Sequence, residues 1–122
     1  MGNFRYSRIM EPNDAVSALS ALAHPGRLAI FRLLVKAGVH GLPAGRIAEA
    51  TGSLPNTLSA NLNILTAAGL TGSRREGRSI IYTANYEAMR DLLGFLMEDC
   101  CSGEPAICAP VAEMARAACR AC

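Results

Sequence analysis

IAEATGSLPNTLSANLNILTAAGL, residues 47–70, followed at 73–82 by SRREGRSIIY, decides the fold. The first stretch holds two helices and a tight turn. The spacing predicts a short helix over 44–51, begun by Gly41-Leu42-Pro43, with Ile47 and Ala48 inward. Thr51-Gly52-Ser53 is the turn. A second helix runs from about Pro55 to Ala68, with Leu58, Leu62 and Leu65 on one face. Asn56, Thr57, Ser59, Asn61 and Asn63 lie on the other face, and Gly69 ends the helix. Leu70–Arg74 and Ser79–Thr83 read as the arms of a hairpin with Arg75-Glu76-Gly77-Arg78 at its tip, where Gly77 supplies a positive backbone angle. Two helices joined by a tight turn and followed by a hairpin make a winged helix-turn-helix, mainly α with a small β-hairpin wing.

In such a unit the second helix enters the major groove, and the wing touches phosphate or the minor groove. Short polar side chains reach phosphate oxygens and base edges. The candidate DNA-binding residues are therefore Asn56, Thr57, Ser59, Asn61 and Asn63 on the helix. Arg74, Arg75 and Arg78 on the wing supply charge to the backbone. Any one of the Asn or Thr side chains reads equally well as part of a solvated face. The turn, the helix and the basic hairpin in this order point to DNA.

Outward from this unit the pattern stays helical. Residues 1–12 read as a loose arm. Asn13 or Asp14 can cap a helix to about Leu22, with Val16, Leu19 and Leu22 at helical spacing. His24-Pro25 breaks the chain, and Pro25 suits the first turn of a helix through Leu28, Phe31, Leu34 and Val35. Gly38 stops it. After the hairpin, Asn85 caps a long helix to about Cys101. Its main stripe is Tyr86, Met89, Leu93, Leu96, Met97 and Cys100, and Leu92 with Phe95 adds a second. Ser102-Gly103-Glu104-Pro105 ends it, and the composition near 110–120 is helical again. The expected division is an arm at 1–12, a DNA-binding and dimerisation domain at 13–101 and a cysteine-containing tail at 102–122.

Composition narrows the function classes. The 122 residues are 51% hydrophobic with no Trp, which favours packed helices over a sheet sandwich. No apolar run approaches the roughly 18 residues that span a bilayer. No signal-peptide pattern opens the chain, so a cytoplasmic protein with reduced thiols is expected, without a membrane partner. The net charge of +2 is unevenly spread. Through Tyr86 there are nine basic and four acidic residues, and from Glu87 onward three and six. The part assigned to DNA is basic and the cysteine part acidic. An enzyme such as a thiol-dependent reductase is not expected, because no cysteine reads as lying at a helix N-terminus or beside a His.

The segments LAHPGRLAIFRLL (22–34), IAEATGSLPNTLSANLNILTAAGL (47–70) and SRREGRSIIY (73–82) together resemble the ArsR/SmtB family of metal- and metalloid-responsive repressors. The likeness covers roughly residues 19–83. It implies a homodimer built on the first and last helices, bound to a two-fold-related operator. Thr57 and Ser59 match the family's recognition helix, whereas Ala60, Asn61 and Asn63 stand where basic or His residues are common. The family's Cys-x-Cys site in the third helix is missing, since Arg46-Ile47-Ala48-Glu49 stands there. The Asp and His pairs of its zinc and nickel sensors are missing too, since residues 85–99 contain no His.

All five cysteines fall in the last 23 residues: Cys100, Cys101, Cys108, Cys119 and Cys122. In EDCCSGEPAIC (98–108) the adjacent pair can turn toward one ion if the helix unwinds, which Gly103 and Pro105 permit. Cys108 can fold back as a third thiolate. Three sulfurs without a fourth partner suit a trivalent pnictogen, whereas zinc would want a fourth ligand. The segment resembles the arsenic-responsive branch with ligands at the end of the last helix. That resemblance makes Cys100, Cys101 and Cys108 the ligands of arsenite or antimonite, acting as inducer with no resident cofactor. Buried Cys100 as a plain hydrophobe, a two-cysteine site for methylarsenite at Cys100 and Cys101, and a thiol redox switch are the other readings. Cys119 and Cys122 have metal-like spacing but read as non-essential.

Overall fold

The computed structural model describes residues 10–98 and 103–119. In chain order the elements are α1 (Pro12–Leu22), α2 (Pro25–Ala37), β1 (Leu42–Pro43), α3 (Ala44–Thr51), α4 (Pro55–Ala67), β2 (Thr71–Glu76), β3 (Ser79–Ala84), α5 (Tyr86–Met97) and α6 (Pro105–Ala118). Ile30 and Leu34 of α2, Ile47 of α3, Leu65 of α4 and Leu70 are the largest fully buried side chains. They sit where α2 crosses α3 and α4, and fully burying one such side chain contributes roughly 1.5–3 kcal/mol. No single helix among the described residues is long and apolar enough to cross a membrane.

Local chemistry explains the element ends. The His24 side chain caps α2, its Nδ1 accepting from the backbone N–H of Gly26 at 3.1 Å and of Arg27 at 3.4 Å. Pro25 at the first position lacks the N–H that would otherwise want a partner. α4 ends in a Schellman motif. Gly69 takes a φ of +81°. Its N–H donates to Thr66 O at 2.9 Å, and Leu70 N–H donates to Leu65 O at 3.0 Å. Leu65 and Leu70 are both fully buried, which supplies the apolar contact of that motif.

The sheet holds three antiparallel strands in the order β1-β3-β2. β1 corrects the expectation that Gly41-Leu42-Pro43 opens the third helix. Leu42 pairs with Tyr82 and Pro43 with Ile81 before α3 begins. Proline tolerates this edge position because it has no N–H to give to a ladder. In the wing, Thr71 opposes Ala84 and Glu76 opposes Ser79, so the turn is only Gly77-Arg78. Arg75 and Glu76, expected at the tip, lie in β2.

Two helices turn a different face inward from the one their spacing predicts. In α1 the buried stripe is Ala15, Ala18 and Ala21, while Val16 and Leu19 are 64% and 42% exposed. Alanines let α1 lie close to α2 and α4, and the bulky side chains are left outside. In α5, Leu92 is buried and Tyr86, Met89 and Phe95 pack on the core. Leu93 and Leu96 are 54% and 51% exposed. The inward stripe thus runs through the pair placed on the minor face.

Asn85 joins the end of α4 to the start of α5. Its Oδ1 accepts from Ala88 N–H at 3.1 Å, its Nδ2 donates to Gly69 O at 2.9 Å, and its backbone N–H donates to Leu70 O at 2.8 Å. At the next residue the Tyr86 hydroxyl lies 2.8 Å from Val35 O and 3.3 Å from Leu34 O, at the end of α2. Tyr86→Phe removes this tie and is expected to cost about 1 kcal/mol. The measurement is the urea midpoint, which should fall with an unchanged slope.

α6 begins at Pro105, earlier than its composition indicated, and continues through Pro110. None of its residues is buried, and Ile107, Val111 and Met114 are exposed.

Candidate nucleic-acid interface and thiol segment

The turn between α3 and α4 is built from short-range bonds. Gly52 N–H donates to Ala48 O at 2.8 Å. The Thr51 hydroxyl donates to Ile47 O at 2.8 Å and lies 2.7 Å from Ser53 Oγ. Leu54 stands at the N-cap of α4 with no side-chain bond, and Pro55 follows at the first helical position. Leu58, Leu62 and Leu65 fix α4 to the core, as their spacing predicts. Asn56, Thr57, Ser59 and Asn63 are then exposed on the far side.

Asn61 departs from that set. It is only 7% exposed and lies among the core residues, with Arg27 Nη1 donating to its Oδ1 at 3.5 Å. The cause is helical phase: position 61 adjoins Leu58, Leu62 and Leu65 on the wheel, so its amide turns inward.

The three wing arginines also separate. Arg74 Nε donates to Glu76 Oε2 at 2.8 Å, and its Nη2 donates to His40 O at 2.8 Å. This guanidinium ties the wing to the loop before β1 instead of standing clear for a ligand. Arg75 and Arg78 are exposed, and no salt bridge holds either among the described residues. The surface offered to a duplex is a helix face of small hydroxyl and amide groups beside two unengaged cations.

Known proteins share this fold. A family described as "Helix-turn-helix domain" matches residues 22–71. The nodulation protein NolR of Rhizobium meliloti is 34% identical over 105 residues, covering 79% of this chain and 84% of that protein. The chain belongs to the ArsR family of winged-helix transcriptional regulators. HlyU from Vibrio cholerae is similar in structure, with 32% identity, a TM-score of 0.57 and coverage of 71% of this chain and 97% of that one. So is the homodimeric winged helix-turn-helix DNA-binding fragment of Mb0332 from Mycobacterium bovis, described as a possible ArsR-family regulator. It shows 32% identity and a TM-score of 0.57 over 71% of this chain and 80% of that chain. This ArsR-family chain is a transcriptional regulator with a DNA-binding winged helix, and its relatives are regulators, not enzymes.

In this ArsR-family chain the thiol segment follows α5. Cys100 and Cys101 lie outside the described residues, as does Cys122. Cys108 is half-buried in the first turn of α6, with its Sγ 3.8 Å from Glu104 O. This corrects the expectation that no cysteine occupies a helix N-terminus; the weak periodicity of the tail concealed where α6 starts. Cys119 stands at the C-cap of α6 and is disulfide-bonded. No group of three His, Cys, Asp or Glu side chains that could hold an ion forms among the described residues.

Sequence reasoning missed the capping role of His24 and the bridging role of Arg27. A signal was present, since a hydrogen-bond acceptor just before Pro at a helix start is a cap pattern.

Proposed function

We propose that this chain is a homodimeric repressor that holds operator DNA when ion-free. It lets go when trivalent arsenic or antimony binds the thiolates of Cys100, Cys101 and Cys108. The observation that carries this reading is the course of α5. Its Leu93 and Leu96 stand exposed, as do Val16 and Leu19 of α1, and the sequence runs on from Met97 into the cysteine pair. Exposed apolar stripes on the first and last core helices fit a second copy of the chain. An ion gripped at the end of α5 therefore acts next to the dimer seam, and Asn85 links the start of that helix to the end of α4.

In the empty state the two α4 helices present Asn56, Thr57, Ser59 and Asn63 to successive major grooves, roughly 34 Å apart. Arg75 and Arg78 meet phosphate. Arg74 shapes the wing, and Asn61 sits behind the reading face. Drawing Cys108 toward the pair would fix the start of α6 to the end of α5 and move the reading helices out of register. Three thiolates fit a trivalent pnictogen. Such a repressor works in the cytoplasm beside the DNA it reads.

The test is fluorescence anisotropy of the reduced protein on DNA from upstream of its own gene, at fixed salt. Arsenite, antimonite, methylarsenite, zinc and cadmium are titrated in parallel. Stoichiometric release by arsenite or antimonite is expected, and a complex that neither disturbs sinks the sensing claim. Release by methylarsenite alone moves the site to Cys100 and Cys101.

The disulfide at Cys119 favours a second reading, a repressor governed by thiol oxidation. Two thiols would give up two electrons and two protons to a peroxide, forming a disulfide and releasing DNA. Its mark is release by hydrogen peroxide with no metalloid present, reversed by a dithiol.

The wing makes a separate prediction. Arg75→Ala and Arg78→Ala should each weaken operator binding and lower the slope of log K against log salt by about one. Arg74→Ala should change that slope less, because its guanidinium is engaged with Glu76 and His40 O.

A further inference from the structure

Asn61 is a polar amide on the buried side of α4, 7% exposed, at a place where a leucine would pack more simply. A buried amide is costly unless it is bonded, and its bonds are directional where apolar contacts are not. Its partner is unusual in reach. Arg27, in the first turn of α2, donates from Nη1 to Asn61 Oδ1 at 3.5 Å and from Nε to Ala21 O at 2.7 Å. Ala21 lies in the last turn of α1, where carbonyls lack partners within the helix and a cation meets the negative end of the dipole. One planar group thus touches the first helix and the middle of α4.

The turn that carries Arg27 lies close to the same amide. A Cβ added to Gly26 would stand 3.3 Å from Asn61 Nδ2 and 3.2 Å from His24 Cε1. Glycine at 26 is what lets the turn close this far, and His24 pins it by accepting from the N–H groups of Gly26 and Arg27. The pinned turn therefore gives Asn61 one bond and leaves little room beside its amide.

We infer that Arg27 and Asn61 form a latch that sets the rotation of α4 against α1, which makes both positioning residues for DNA reading. Leucines alone hold a helix to a core but tolerate small rotations about its axis. The latch removes that freedom, so the exposed face of α4 is aimed by a bond on its opposite side. The inference rests on the reading of α4 as the helix that enters the groove.

The test uses the full reduced chain, a duplex it selects from a random pool and a scrambled duplex of equal length. Asn61→Leu removes the acceptor, with Asn61→Ala as the second variant should leucine not fit. Arg27→Lys keeps the charge but loses the planar fork that reaches two acceptors. Each variant is expected to bind the selected duplex about tenfold more weakly. The scrambled duplex should be bound as before, and the salt slope should be unchanged. Combined, Arg27→Lys and Asn61→Leu should lose no more than either alone, whereas Asn61→Leu with Arg78→Ala should multiply. Full retention of preference, equal weakening on both duplexes, or multiplication of the latch pair would overturn the proposal. The reading beneath it is checked separately with Asn56→Ala, Ser59→Ala and Asn63→Ala combined. If that triple variant keeps its preference, α4 is not the reading helix and the latch falls with it.

Discussion

Replacing Cys100 or Cys101 by serine is expected to leave operator binding of the ion-free protein intact and to abolish its release by arsenite. Serine keeps the size of the side chain but offers a hard hydroxyl where a soft thiolate is needed. Allosteric coupling typically amounts to roughly 1–3 kcal/mol, so arsenite should weaken operator binding by the native chain about 5–150-fold. In either serine variant the change should fall below about twofold, within the spread of the assay. Cys108→Ser divides the ligand sets. It should remove the response to arsenite yet keep one to methylarsenite, which needs two sulfurs. Anisotropy on the operator duplex reads all of these. A Cys100→Ser protein that still releases DNA at stoichiometric arsenite would end the three-thiolate reading.

The largest expected loss of stability comes from a single methyl group at Gly41. This residue has a φ of +69°. A Cβ there would overlap the Tyr82 carbonyl oxygen and stand 2.6 Å from Thr83 Cγ2 and 2.9 Å from Ile81 Cγ2. Those atoms belong to β3, the central strand of the sheet, so the neighbour that must give way is backbone in a hydrogen-bonded ladder. Strained backbone plus overpacking makes Gly41→Ala cost roughly 3 kcal/mol or more. Thermal unfolding should show a midpoint lower by on the order of 10 °C. DNA binding should suffer as well, because the same sheet carries the wing. Gly45→Ala is the matched control. It lies in α3 with nothing within 4 Å of an added Cβ, so it should be neutral or gain up to about 1 kcal/mol from helix propensity. Equal melting of the two variants would remove the steric account of Gly41.

Much of the DNA-reading unit was legible in the chain because its signals are local. The bounds of α3 follow from Pro43 before it and Gly52 after it, and the structure places the helix at Ala44–Thr51 as the spacing predicts. Leu58, Leu62 and Leu65 identified the inner face of α4, since three leucines at helical intervals have one side to bury. Asn85 was legible as a cap, and Gly77 as the turn of the wing.

Other features depended on partners distant in sequence. The strand β1 is two residues long and exists only because β3, some forty positions later, offers it a ladder. Asn61 looked like one more polar residue on a reading face until Arg27, 34 positions away, claimed it. Arg74 looked like a phosphate contact, yet its guanidinium meets Glu76 and the His40 carbonyl.

From α1 through α5 the sequence by itself determined the order of helix, turn and hairpin, β1 apart. Caps, glycines and apolar periodicity act within a few residues and need no distant partner. Only the tertiary structure decided which face of α1 and of α5 turns inward. In α1 both Ala15-Ala18-Ala21 and Val16-Leu19 recur at helical spacing, and the smaller set is the buried one. Close approach of two helices rewards small side chains at the crossing, and where helices cross is a property of the whole packed chain.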